Sequence, residues 1–253
     1  MNMNKDLYNQ IFRRKSFHTF RERSNESISQ EEIDDIYNAY KSFDSLYDIK
    51  TEIRIDKDSN GLNIRNSEYV IKIFSEVKDG YLQNVGYLGE QLDLYLVSKN
   101  IGSLWFGIAK SKEVYNGLNY VILIAIAKVN EFRKDMFKSK RKDVVDIWDG
   151  EDLGIANIVR FAPSACNSQP WFVENKDNKL YVYRKSKSGK VGIMPKNASV
   201  FYNQIDIGIF MCFLELCLID KGLQFDRTLY VDNQSFDQKE LNAVYTLIWI
   251  VEL

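Results

Sequence analysis

Three short stretches hold residues whose types and spacing suit ligand chemistry. The first, "RRKSFHTF" (13–20), runs Arg13, Arg14 and Lys15 into the hydroxyl of Ser16, with His18, the one histidine of the chain, two positions on. Clustered donors of this kind suit a phosphate or sugar-phosphate chain; the plain alternative is a solvated basic turn. The second, "APSACNSQPW" (162–171), gathers two of the three prolines with Ser164, Asn167, Ser168 and Gln169. Proline fixes φ while Ser and Asn offer hydrogen bonds without bulk, so this is either a ligand loop or a polar helix-to-strand connection. The third, "NIGSLWFG" (100–107), sets Gly102 and Gly107 about Trp105 and Phe106. Glycine lets backbone come close to a flat group; equally, the run is a helix cap followed by an aromatic core strand.

Regular elements must position these stretches. A short helix is expected over 6–13. "SISQEEIDDIYNAY" follows with a capping box, Ser29 and Glu32, and with Ile33, Ile36, Tyr37 and Tyr40 at helical spacing. Residues 49–55 alternate as a half-buried strand, 58–61 form a turn, and 69–74 read as a second strand. A helix over 83–99 carries Val85, Leu88, Leu92, Tyr95 and Leu96 on one face, with a C-terminal stop at 99–102. "YVILIAIA" (120–127) reads as a central strand covered on both faces.

The second half repeats the order: a helix at 150–161, an alternating strand at 179–184, a helix at 203–220, and an apolar strand at 245–253. Glu31 and Glu151 open corresponding helices, Gly102 and Gly222 close corresponding ones, and both offsets are 120 residues. This suggests a degenerate duplication with pseudo-repeats 1–137 and 138–253, joined through a charged connector at 130–143. The run "IGIFMCFLELCLI" (207–219) is 13 residues long, shorter than the ~20 apolar residues a bilayer span needs. It reads as a helix covered by protein all round.

Composition excludes several classes. A net charge of −1 creates no field for nucleic acid, and the basic run 132–142 is short and broken by Asp135. Three cysteines without CxxC spacing, Cys166, Cys212 and Cys217, argue against a disulfide framework or a metal site. The opening "MNMNKDLYNQ" has no apolar h-region, so no secretory signal is expected; with the apolar run 207–219 too short for a span, no membrane role is expected and the cytoplasm is the expected compartment.

Taken together, the three stretches resemble one family, the FMN-dependent nitroreductases. "R-K-S-x-H-x-F" (14–20) is similar to the family's Arg-Arg/His-Ser-x-Arg/Lys-x-Phe opening, and "NIGSLWFG" to its Gly-x-Gly-Ser-x-Trp-x-Gly turn. "APSACNSQPW" is very close to its Ala-Pro-Ser-x-x-Asn-x-Gln-Pro-Trp signature. The resemblance covers nearly the whole chain and implies an α+β, nitroreductase-like fold. Ordinary members are homodimers in which each flavin takes the basic motif and the glycine turn from one subunit and the Pro-Ser loop from the other.

Here the motifs are divided. The first half reads "SFDSLYDIK" (42–50) where its Pro-Ser loop belongs, and the second reads "KGLQFDRTL" (221–229) where its glycine turn belongs. That pattern resembles the fused pseudo-dimer branch, the TM nitroreductases, with one flavin site surviving and a monomer expected.

The resemblance implies roles residue by residue. Arg14, Lys15 and Ser16 would hold the FMN phosphate and ribityl chain, with His18 a neighbour of the phosphate and Lys140 or Arg141 adding charge. Pro163, Ser164, Ala165 and Asn167 would line the ring and ribityl from the second half. Gly107, beside Trp105 and Phe106, would place an N–H near flavin N5. Cys166 falls at a variable motif position and reads as a packing residue. The implied activity is NAD(P)H oxidation with ping-pong transfer to a small flat acceptor such as a nitroaromatic or quinone, with no catalytic side chain. The alternative is a flavin-binding protein without turnover, a sensor, store or regulatory module. Flavin destruction or dehalogenation on the same fold also stays open.

Overall fold

The computed structural model describes residues 3–21, 23–58, 64–109, 111–185, 196–229, 235–236 and 241–250. The expected turn at 58–61, beyond Asp58, and residues 251–253 of the closing strand lie outside them. The chain divides into two compact units, Met1–Met136 and Phe137–Leu253.

The first unit runs α1 (Met3–Ile11), α2 (Gln30–Ser42), β1 (Thr51–Lys57), β2 (Tyr69–Ser75), α3 (Tyr81–Ser98), β3 (Ile101–Phe106), β4 (Val114–Tyr115) and β5 (Leu118–Lys128). The capping box forms as expected: Ser29 Oγ accepts from Glu32 N–H at 3.2 Å, and the Glu32 carboxylate accepts from Ser29 N–H at 2.9 Å. The sheet is antiparallel in the order β1-β2-β5-β3. Its central strand β5 is buried from Val121 to Ala127, the cover on both faces that its unbroken apolar run requires.

One sheet face is packed by Phe17 and Phe20, which join Val70, Leu104, Leu123, Ala125, Ala127 and Val129. The opposite side carries α3, against which α1 and α2 pack. Though buried, α3 is rich in polar groups, and they are used. Asn84 Oδ1 accepts from Leu46 N–H and Tyr47 N–H at 2.9 and 3.1 Å, and Gln91 Nε2 donates to Asp44 O at 2.8 Å. The segment 42–50 is thereby pinned to the helix, with Phe43, Leu46 and Ile49 buried.

The second unit runs α4 (Val144–Ile147), β6 (Trp148–Asp149), α5 (Ala156–Val159), β7 (Trp171–Lys176), β8 (Lys179–Lys185), α6 (Lys196–Asp220), β9 (Gln224–Leu229), β10 (Ser235–Phe236) and β11 (Leu241–Ile250). Its sheet follows β7-β8-β11-β9, all antiparallel, with β6 parallel to β7 at one edge and β10 alongside β11. That path has the order and directions of β1-β2-β5-β3.

Two expected elements differ. The helix expected at 150–161 is reduced to Ala156–Val159, because Gly150, Leu153 and Gly154 have φ of +83°, +54° and +67°, outside the helical region. The 203–220 helix begins earlier, at Lys196. At 25 residues α6 is long and apolar enough to cross a membrane, yet 83% of its most apolar window is buried in protein. Its buried Glu215 is met by Arg227 of β9, with Nε and Nη2 at 2.9 and 3.0 Å from the carboxylate.

Candidate functional site

In the first unit the basic segment and the glycine stretch lie side by side. α1 ends where Arg13 N–H and Arg14 N–H donate to Gln10 O at 3.1 and 2.9 Å. The chain then runs along β3: Ser16 pairs with Ser103 as a parallel bridge, and Phe17 N–H donates to Ser103 O at 3.0 Å. Gly102 therefore lies inside a strand and does not close α3; Asn100, at φ +57°, makes that turn. The reason for glycine at 102 is space, since a Cβ there would stand 2.8 Å from Phe17 and Val129. Gly102→Ala is expected to push Phe17 off the sheet and to cost about 1–3 kcal/mol, read as a lower urea midpoint.

Beneath the segment is a buried polar cluster. Arg14, 3% exposed, donates from Nε to Asp93 Oδ2 at 2.9 Å and lies 3.8 Å from Glu90. Asp93 also accepts from Ser103 Oγ and, at 3.1 Å, from Trp105 Nε1. The Trp105 ring lies against Gly89 of α3. Burial, and then the charge of Asp93, pushes the Glu90 carboxyl well above its usual range.

Positive charge remains in excess at this edge. Among the described residues Arg13 bonds neutral groups, Gln10 and Asn100, each at 3.0 Å, and it lies over the Phe132 ring. Arg133 is joined through its N–H to Arg13 O at 3.2 Å. Burial and the charge of Arg14 push its guanidinium down to about 10. Arg14 Nη2 is buried without a hydrogen-bond partner. Lys15 Nζ lies 4.6 Å from the Phe17 ring centre, His18 is exposed, and Phe106 and Gly107 are half-buried.

In the second unit the Pro-Ser stretch is a folded loop with unusual backbone. Cys166, Asn167 and Gln169 have φ of +51°, +55° and +49°, each costing of the order of 1 kcal/mol or more for a non-glycine residue. The loop is held there by bonds from several directions. Gln169 N–H donates to Ser164 Oγ at 3.0 Å, and Ala165 N–H to Asp206 Oδ1 at 2.9 Å. Arg141 Nη1 donates to Asn167 Oδ1 at 2.9 Å and Nη2 to Phe161 O at 3.3 Å, while Asn167 Nδ2 donates to Lys140 O at 3.2 Å. Lys142 N–H donates to Gln169 Oε1 at 2.8 Å, and its Nζ to Ser168 O and Gln169 O at 3.0 and 2.9 Å.

The loop thus presents exposed Cys166 and Asn167 over buried Pro163, Gln169 and Pro170, with Ser164 and Ala165 between. Lys140 and Arg141 meet Asn167, and their neighbour Lys142 meets Ser168 and Gln169. The sequence reading missed Glu90, Asp93, Arg133, Lys142 and Asp206. The visible signal for three of them was a carboxylate within a mostly apolar helix.

Among solved structures, a "putative nitroreductase" from Thermotoga maritima is similar at 18% identity and a TM-score of 0.60, over 96% of this chain and 93% of its own. A "Putative NADH dehydrogenase/NAD(P)H nitroreductase" from Bacteroides thetaiotaomicron matches 56% of this chain and 95% of its own, at 15% identity and a TM-score of 0.46. A "putative nitroreductase in complex with FMN" from Desulfovibrio desulfuricans matches 58% and 95%, at 14% identity and 0.40. No curated protein matches the chain. The first of these establishes the fold as α+β and nitroreductase-like. A family model described as "Putative TM nitroreductase" matches residues 6–218, a span that takes in the basic segment, the glycine strand and the Pro-Ser loop, and the chain belongs to that family.

Proposed function

We propose that this protein is an FMN-dependent NAD(P)H oxidoreductase of the nitroreductase type, acting on a small flat acceptor such as a nitroaromatic or quinone. The observation that carries this reading is the under-compensated positive edge of the first unit. The buried Nη2 of Arg14 has no partner, and among the described residues neither Arg13 nor Arg133 meets a carboxylate. Such an arrangement fits an anionic, acceptor-rich group such as a phosphate monoester.

The residues assigned to the flavin are Arg14, Lys15, Ser16, His18, Trp105, Phe106 and Gly107 of the first unit. Lys140, Arg141, Pro163, Ser164, Ala165 and Asn167 of the second complete the set. FMN, when bound, would supply two-electron transfer between NAD(P)H and the acceptor, with ping-pong kinetics expected. The chain's own work is to bind and orient. Arg14 and Lys15 would balance the phosphate charge, Ser16 would offer a hydroxyl to the ribityl chain, and Gly107 would offer its backbone to the ring. Asn167, held by Arg141, offers a fixed amide. No side chain is required to act as acid or base.

The common strand order of the two sheets supports reading the chain as a duplicated unit. On that reading it works as a monomer, and the cytoplasm is its proposed compartment. The test is the visible spectrum of the purified protein before and after anaerobic NADH or NADPH. Twin flavin bands that bleach are expected. Bands that persist would favour flavin binding without turnover, and a colourless protein that takes up no added FMN would overturn the assignment.

A further inference from the structure

Asp206 lies on α6, 3% exposed, beneath the Pro-Ser loop. Its Oδ1 accepts Ala165 N–H at 2.9 Å, and its Oδ2 lies 3.3 Å from Ser168 Oγ. One turn earlier on the same helix, Asn203 Oδ1 lies 3.4 Å from that same hydroxyl. A hydroxyl has one proton to give, so Ser168 donates either to Asp206 or to Asn203. When Asp206 is ionised it accepts from both Ala165 and Ser168. When it is protonated, its own O–H donates to Ser168 Oγ, which then turns its proton to Asn203. The loop is bonded to the helix in both states, but only the second buries no charge.

We infer that Asp206 is the positioning residue of this loop, and that its proton decides which way Ser168 points and how firmly residues 164–169 are seated on α6. Nothing in the sequence motif or the family resemblance assigns this role, and Asp206 itself touches no reacting group. Its bearing on function rests on the flavin reading above; its control of the loop does not.

The electrostatics agree. Burial pushes the Asp206 carboxyl up to about 7, against the smaller opposing effects of the Ala165 and Ser168 bonds. Among the described residues no charged group contributes to that shift; the cations on the loop's other side, Lys142 at Ser168 O and Gln169 O and Arg141 at Asn167 Oδ1, do not enter it. The loop from Phe161 to Pro170 and the helix α5 carry no charged side chain, and on β8, which packs against α6, the buried Arg184 does not enter. The sign follows from linkage. A carboxyl with a raised value in the seated state favours seating while it stays protonated, and that advantage is lost as pH rises from the ordinary carboxylate range to about 7. Above about 7 the loss levels off.

The experiment is amide hydrogen exchange at Ala165–Gln169 in the purified full chain, corrected for the intrinsic pH dependence of exchange. Wild-type protection should fall by roughly tenfold per pH unit between about 5 and 7 and then flatten. Asp206→Asn imitates the protonated carboxyl, its oxygen accepting from Ala165 and its amide donating to Ser168, and should give high protection with no pH dependence. Asp206→Ala leaves the Ala165 N–H without its acceptor and should give low protection at Ala165 at every pH. A wild-type profile flat across this range, an Asn variant that keeps the wild-type slope, or an Ala variant that keeps full protection would overturn the inference. Flavin retention is the second readout: FMN release should be faster at pH 7.5 than at 5.5 in the wild type and pH-independent in Asp206→Asn. Equal pH dependence of release in both would overturn the link to the cofactor. A chain showing the expected exchange profile yet taking up no FMN would sink the flavin assignment and leave Asp206's control of the loop standing.

Discussion

Replacing Arg14 by alanine is expected to lower the unfolding free energy of the first unit by about 3–5 kcal/mol, the usual cost of removing one partner from a buried ion pair. The guanidinium is almost wholly enclosed, and Asp93 depends on it. Without Arg14 the Asp93 carboxylate keeps only Ser103 and Trp105 as donors and sits beside Glu90 with no cation in the cluster. Arg14→Lys should recover little, because Asp93 is met by Nε, where a lysine side chain carries a methylene and no donor. The double change Arg14→Ala with Asp93→Asn should cost less than Arg14→Ala alone, since the stranded charge is gone. Urea unfolding monitored in the first unit, with the full double-mutant cycle, checks all three. A loss under about 1 kcal/mol for Arg14→Ala, outside the range for a buried pair, would show that the cluster does not depend on this cation.

The second large effect belongs to Trp171, which closes the Pro-Ser stretch and opens β7. It is fully buried and stacks on Phe210 of α6, the rings 4.8 Å apart and inclined by 22°. Trp171→Ala is expected to cost about 3–5 kcal/mol, through lost burial and the cavity left behind. Trp171→Phe should cost less than half as much. It retains an aromatic face for Phe210 and removes the indole Nε1, which is buried without a hydrogen-bond partner; such an orphan group itself costs about 1–3 kcal/mol. Thermal unfolding of the two variants decides the matter. Equal losses would mean that the phenyl ring kept in Trp171→Phe contributes nothing against Phe210, and would overturn this account.

Much of this fold was legible because local chemistry and tertiary need agree. The Ser29–Glu32 box caps α2 as its spacing predicts, and the unbroken apolar run of β5 becomes the central strand. The misreadings arose where a glycine could serve two purposes. Gly102 reads as a helix stop but is required by the closeness of Phe17. Gly150 and Gly154 sit in a window of helical periodicity, yet their positive φ values break it. The candidate site was legible in its motifs and not in its support. Asp93 meets Arg14 across 79 positions and Asp206 meets Ala165 across 41. No short-range pattern announces such pairs, because only the completed packing brings them together.

The strand order has a consequence for how each unit is assembled in time. In both sheets the strand lying between its neighbours comes last in sequence: β5 follows β2 and β3, and β11 follows β8 and β9. As the polypeptide leaves the ribosome, the β1–β2 hairpin exists first with one edge uncovered, and β3 has no partner at all. Closing the sheet means inserting a long apolar strand between two waiting edges, a non-local step of the kind that slows folding. Until it happens, the stickiest strand in each unit and the edges made to receive it are all open to other chains.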